Sequence, residues 1–183
     1  MALDPDEDLL RGVASGDPGA IRGIITAKLP RLLAVATRML GDPFEAEDVA
    51  QEAFVRIWRH AGRWNWQGAR FDTWIHRVTM NLCYDRLRRR RQMPVGVPPD
   101  LADDGPMPDA ALIPDDRTEQ DVRLALRTIA PRQREAIVLV YYQGLSNQEA
   151  AAVMRISVDA LESLLARGRR SMQASLLKGA SND

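Results

Sequence analysis

Residues 63–91 read RWNWQGARFDTWIHRVTMNLCYDRLRRRR, a stretch that gathers indole rings, amides and guanidinium groups. Trp64 and Trp66 stand around a polar, glycine-containing loop, a helical pattern follows, and five arginines fall in the six positions from Arg86 to Arg91. A core segment has no need of those arginines, and an electrostatic tail has no need of the tryptophans, so one purpose must account for both. Covalent chemistry is not that purpose. The chain has no phosphate-binding glycine loop and no paired nucleophile and base, and His60 and His76 lack companions at metal-ligand spacing. No catalytic residue, metal or cofactor is therefore assigned. Cys83, the single cysteine, excludes an internal disulfide and lies in an apolar helical pattern that suits a small buried hydrophobe.

Charge distribution indicates the partner. The 183 residues carry zero formal net charge, but the segments do not. Residues 1–60 sum to −3, 61–91 to +6, 92–121 to −7 and 122–183 to +4. Two basic blocks separated by an acidic one point to nucleic acid. The start, MALDPDEDLL, lacks the basic and apolar regions of a signal peptide, and the longest fully apolar run, Ala136 to Tyr142, is too short to span a bilayer. A cytoplasmic protein without membrane insertion of its own is expected.

The elements that must position these groups are helical throughout. Residues 92–118 hold six of the eleven prolines and six aspartates, which predicts an extended acidic linker between modules 1–91 and 119–183. In the first module a helix is expected over 18–40, ending at Gly41. Another follows Asp42 and Pro43, with apolar side chains at 46, 49, 50, 53, 54, 57 and 58 on one stripe. Its opposite face carries Asp48, Gln51, Glu52, Val55 and Arg56. Phe71, Trp74, Ile75, Val78 and Leu82 form the inward stripe of a third helix. In the second module Pro131 opens a helix that Gly144 closes, and Ser146 with Glu149 forms a capping box for a short helix over Asn147 to Met154. After the turn Arg155-Ile156-Ser157 a longer helix starts at Val158. Two helices joined by so tight a turn, the second bearing Arg167, Arg169 and Arg170, predict a helix-turn-helix.

GDPFEAEDVAQEAFVRIWR with FDTWIHRVTMNLCYDRLRRRR, followed by IAPRQREAIVLVYYQGLSNQEAAAVMRISVDALESLLARGRRSM, resembles the extracytoplasmic-function (ECF) group of bacterial RNA polymerase sigma factors. The resemblance implies an all-α chain of two small modules, sigma region 2 as a helical bundle and sigma region 4 as the helix-turn-helix. It implies binding to core RNA polymerase through the β′ and β subunits and recognition of −35 and −10 promoter DNA about two helical turns apart. It also implies help in melting the duplex and restraint by an anti-sigma factor, as in stress responses. The face Asp48, Gln51, Glu52, Val55 and Arg56 becomes the polymerase-docking surface. Trp64, Asn65, Trp66, Gln67, Gly68 and Asn81 become −10 readers, with Arg77, Arg86 and Arg88 on phosphates. The opening stretch then has a physical purpose: aromatic platforms return about 1–3 kcal/mol per stacked base against the cost of unpairing, and arginines neutralise the adjacent backbone.

The recognition helix departs from the family pattern. Family members commonly show Gly-Thr-Val-Lys-Ser-Arg-Leu where this chain has Asp159-Ala160-Leu161-Glu162-Ser163-Leu164-Leu165, so two cationic positions are Glu162 and Leu164. Arg155, Ser157, Glu162, Ser163, Arg167 and Arg170 are the −35 candidates, with Glu162 able to accept from cytosine N4. The alternative is a stand-alone helix-turn-helix regulator with an N-terminal sensing module. Such a protein needs neither the aromatic loop nor the acidic docking face.

Overall fold

The computed structural model describes residues 6–64, 70–92 and 116–180. The expectations for Asn65, Trp66, Gln67 and Gly68, and for residues 93–115, lie outside the described residues. Among the described residues all regular structure is helical.

Helix α1, Glu7–Ala14, was not anticipated from sequence. Its acidic first turn (Glu7, Asp8) and Arg11 in the last turn suit the helix dipole, and Leu10 anchors it in the core. Helix α2, Pro18–Leu40, begins where Asp17 accepts from the Ala20 amide at 2.7 Å and ends at Gly41, whose φ of +68° is the left-handed cap. That position is glycine for a second reason: a Cβ would stand 2.8 Å from Cδ of Arg127 on another helix. Helix α3, Pro43–Ala61, is capped by Asp42, which accepts from the Phe44 and Glu45 amides. Helix α4 spans Phe71–Gln92.

Helix α5, Asp116–Thr128, starts inside the stretch expected to be linker. Helix α6, Pro131–Ile137, runs into a π-helical segment, Val138–Tyr142, before the turn at Gly144 (φ +66°). Helix α7, Asn147–Met154, carries the reciprocal Ser146–Glu149 capping box, and helix α8 covers Val158–Ala180. Between them Arg155 takes φ +54°, so the tight turn is made by a non-glycine residue in the left-handed region.

Helices α1, α3 and α4 pack around α2, and α5, α6 and α7 pack around α8. The two groups also meet, α4 against α7 and α2 against α5 and the π-helical segment. Phe71, Ile75, Val78 and Leu82 are buried as expected, while Trp74 is half-buried at the edge. Trp58 corrects the sequence reading. It was counted with the inward stripe of α3 but is 41 % exposed, because Ile57 and Ala61 fill the inward positions and the indole lies edge-on against Phe54 instead.

Beneath the start of α4, Lys28 of α2 is buried with its Nζ 2.6 Å from Asp6 and 2.7 Å from Asp72. The ammonium also stands over the Phe71 ring at 5.6 Å. Lys28→Ala takes the ammonium away from two carboxylates and is expected to cost about 3 kcal/mol of unfolding free energy in urea titration. A loss under about 1 kcal/mol would mean that the ion triad contributes little to the bundle.

Candidate nucleic-acid interface

The aromatic segment enters α4 through a packed cluster. Trp64 is half-buried, its ring 5.4 Å from both Phe71 and Trp74 in edge-to-face geometry, and Trp74 in turn meets His60. Trp64 is therefore fixed by packing against the start of α4. Asp72 is tied to Lys28 at the same point. Burial would raise its pKa, but the bonded ammonium outweighs this and holds the carboxyl below its ordinary value.

Farther along α4 the cations are engaged by protein groups. Arg86 pairs with Asp48 at 3.2 Å and Arg88 with Asp85 at 2.5 Å. Arg90 bonds Glu45 at 2.7 Å and donates to the Leu40 carbonyl at 2.9 Å, closing the carboxyl end of α2. Arg89 and Arg91 are exposed. Arg77 is half-buried. Its Nη2 donates to the Ala152 carbonyl at 2.7 Å and its Nε to Val153 at 3.4 Å, both at the end of α7. Beside it, Arg132 donates to the Met154 carbonyl at 3.2 Å and to Glu135 at 2.8 Å, and Tyr84 donates to the same Glu135 oxygen at 2.6 Å. A cleft of about 130 Å³ between the two helical groups is lined by Arg77, Asn81 and Arg155, so candidates from both modules share one space.

Burial raises the Glu135 pKa despite the opposing pull of Tyr84 and Arg132, and burial with the neighbouring carboxylate raises the tyrosine. The Cys83 thiol is pushed up to about 12, first by burial, and is an inert core group. Sequence reasoning missed Tyr84, Arg132 and Glu135, since their partners are remote in the chain and leave no local pattern.

On α8, Ser157, Glu162, Ser163, Arg167 and Arg170 are all exposed. Ser157 Oγ accepts from the Ala160 amide at 3.2 Å and starts the helix. Glu162 accepts from the Asn147 side-chain amide at 3.3 Å, a contact the sequence did not indicate. On α3, Asp48, Gln51 and Val55 are exposed, while Glu52 and Arg56 are half-buried and paired at 3.3 Å. The same helix bears two exposed aromatic side chains, Phe44 (70 % exposed) in its first turn and the outward-turned Trp58 near its end. Among the described residues no helix is long and apolar enough to cross a membrane.

A helix-turn-helix with an open second helix, joined to a helical bundle rich in arginine and aromatic side chains, is the architecture of a two-module DNA-binding protein. Residues 24–93 match the family model Sigma-70 region 2, and residues 119–172 match Sigma-70, region 4. The ECF RNA polymerase sigma factor SigE of Mycolicibacterium smegmatis is 32 % identical over 174 residues, covering 92 % of this chain and 67 % of that protein. CnrH, solved in complex with the cytosolic domain of CnrY, is 29 % identical with a TM-score of 0.68 over 95 % of this chain and 97 % of the other. The sigma factor RpoE from Bartonella quintana, solved with the anti-sigma factor NepR, is 25 % identical with a TM-score of 0.69 over 86 % and 96 %. The chain belongs to the sigma-70 family, within its ECF group, and is a factor for promoter-specific transcription initiation.

His76 is a buried titratable group on α4. Its Nδ1 lies 2.7 Å from the Asp72 carbonyl, which can only accept, so Nδ1 carries the proton of a neutral ring. Burial lowers its pKa; the Asp72 backbone and carboxylate and the Gln143 side chain oppose this, and Arg31 adds to the lowering. With the folded value below the ordinary 6.5, stability is full above 6.5 and is lost as pH falls through the folded value. Melting temperature is expected to drop as pH falls below about 6.5, and His76→Gln is expected to flatten that dependence. An unchanged slope in the variant would assign the titration to another group.

Proposed function

We propose that residues 1–91 dock on core RNA polymerase and open the −10 element, that residues 119–183 read the −35 element, and that residues 92–118 tether the two modules. The acidic composition of the tether keeps it off duplex DNA and suits a basic channel of the polymerase. The two-sidedness of α3 is the observation that carries this reading. Ala46, Val49, Ala50, Ala53 and Ile57 are spent on the bundle, leaving Asp48, Gln51, Glu52, Val55 and Arg56 for a partner such as the β′ subunit.

Trp64, Asn65, Trp66, Gln67, Gly68 and Asn81 then capture unstacked −10 nucleotides, with Arg77, Arg86 and Arg88 neutralising phosphates. Arg155, Ser157, Glu162, Ser163, Arg167 and Arg170 meet the −35 duplex. The factor itself makes or breaks no covalent bond and works in the bacterial cytoplasm. CnrH and RpoE were each solved with a protein bound, NepR being an anti-sigma factor. By that likeness an anti-sigma protein restrains this chain by covering its polymerase-binding surfaces, and the exposed Phe44 and Trp58 suit such a cover.

Run-off transcription with purified core polymerase tests the reading directly. Specific initiation is expected only when the chain is added. Trp66→Ala is expected to reduce open-complex formation about 5- to 150-fold, the equivalent of ~1–3 kcal/mol for one stacked base. Glu162→Ala is expected to relax preference at one −35 position in a promoter library, and an unchanged preference removes that carboxylate from base readout.

A further inference from the structure

The start of α7 and the second turn of α8 meet across the helix-turn-helix, and both backbones are fixed there. Helix α7 begins in its capping box, where Ser146 Oγ accepts from the Glu149 amide at 3.2 Å and Glu149 accepts from the Ser146 amide at 3.0 Å. Helix α8 packs against α7 and is anchored by the buried Leu161 and Leu165. Between these fixed points Asn147, the half-buried first residue of α7, donates from Nδ2 to Glu162 Oε1 at 3.3 Å. Glu162 is exposed and forms no ion pair among the described residues, so this amide is the group that sets its direction. A free glutamate side chain samples many rotamers and must lose that freedom to read a base. A carboxylate has two oxygens, and with Oε1 held by Asn147 the other is left to accept.

We infer that Asn147 is a positioning residue for −35 recognition, holding one oxygen of Glu162 so that the other is aimed at a base edge bearing an amino donor, cytosine N4. The inference rests on the reading of Glu162 as a base contact. The pairing imposes a polarity, because whatever atom meets the Asn147 donor turns its twin towards DNA. In the wild type that twin is an oxygen. In Glu162→Gln the amide oxygen stays on Asn147 and the N–H group is presented instead. In Asn147→Asp/Glu162→Gln the acceptor lies on α7, the glutamine nitrogen turns inward, and an oxygen faces DNA again. An unheld side chain would have no such polarity.

The test uses holoenzyme assembled with the full chain and a promoter library randomised at the −35 element, with base preference at each position and total transcript as readouts. Asn147→Ala is expected to weaken the cytosine preference about 2- to 12-fold at the same position that Glu162→Ala relaxes. Asn147→Ala/Glu162→Ala is expected to go no further than Glu162→Ala, since the two side chains act as one unit. Glu162→Gln is expected to move the preference to guanine or thymine, whose edges offer acceptors, and Asn147→Asp/Glu162→Gln to return it to cytosine. The inference is overturned if Asn147→Ala lowers every promoter alike, if it acts at a different position, or if its effect adds to that of Glu162→Ala. The underlying reading fails separately. If Glu162→Ala leaves all preferences unchanged, the base contact is lost and the positioning role with it, whereas a position relaxed by Glu162→Ala and untouched by Asn147→Ala removes the positioning role alone.

Discussion

Carbonyl groups at the ends of helices are the constraint on which the rest of this structure depends. The last carbonyls of a helix have no partner within it, and burying them without a donor is costly. In this chain arginines from distant elements supply the donors. Thr37 is met by the Gly41 amide, Leu40 by Arg90 at 2.9 Å, and Met39 by Arg134. Arg134 is itself buried and reaches the Arg127 and Ile129 carbonyls at the end of α5 as well. A single guanidinium thereby joins the ends of two helices from different modules, using the fork of donors that lysine lacks. The glycine at position 41 belongs to the same device, since only a residue without Cβ lets the Arg127 stem lie across the turn.

Around these ends the two modules act as one packed body. Arg38 stacks over the Tyr142 ring at 4.2 Å, linking α2 to the π-helical segment, and the buried His76 is approached by Gln143 from the same segment. The π-helical geometry has a local consequence, as Gln143 bonds back to the Val138 carbonyl at 3.0 Å and delivers its side chain towards α4. The core runs continuously from the first module into the second through Val138 and Leu139. The junction is therefore apolar at its centre and ionic at its rim.

Sequence made the local devices legible because each is written within a few residues. Gly41, Asp42 with Pro43, Pro131, the Ser146–Glu149 box and Ser157 all stand at helix ends as read, and α3 buries Ala46, Val49, Ala50, Ala53 and Ile57 as its periodicity requires. Illegible features were those decided by remote partners. Helix α1 is short and acidic, and its place depends on Leu10 and on Asp6 meeting Lys28. Trp58 sits at the border of its stripe, where periodicity does not decide between core and surface. The arginine block read as one electrostatic unit, but Arg86, Arg88 and Arg90 each have a separate carboxylate, and Arg77 faces a helix end. Charge counting gives the sign of a surface and not the identity of the partner.

The strength of these contacts varies with their surroundings. A cation at a helix carboxyl end is worth about 0.3–2 kcal/mol, whereas hydrogen bonds to fully charged groups reach about 1.5–3 kcal/mol. Arg77 at the end of α7 is therefore held less firmly than an arginine bonded to a full charge. Arg134 is arranged differently. It is desolvated and serves three carbonyls at once, joining the ends of α2 and α5. The same chemistry is weak at Arg77, where it is half-exposed, and strong at Arg134, where it is enclosed. The polar contacts at the α4–α7 edge are therefore weaker than those around Arg134.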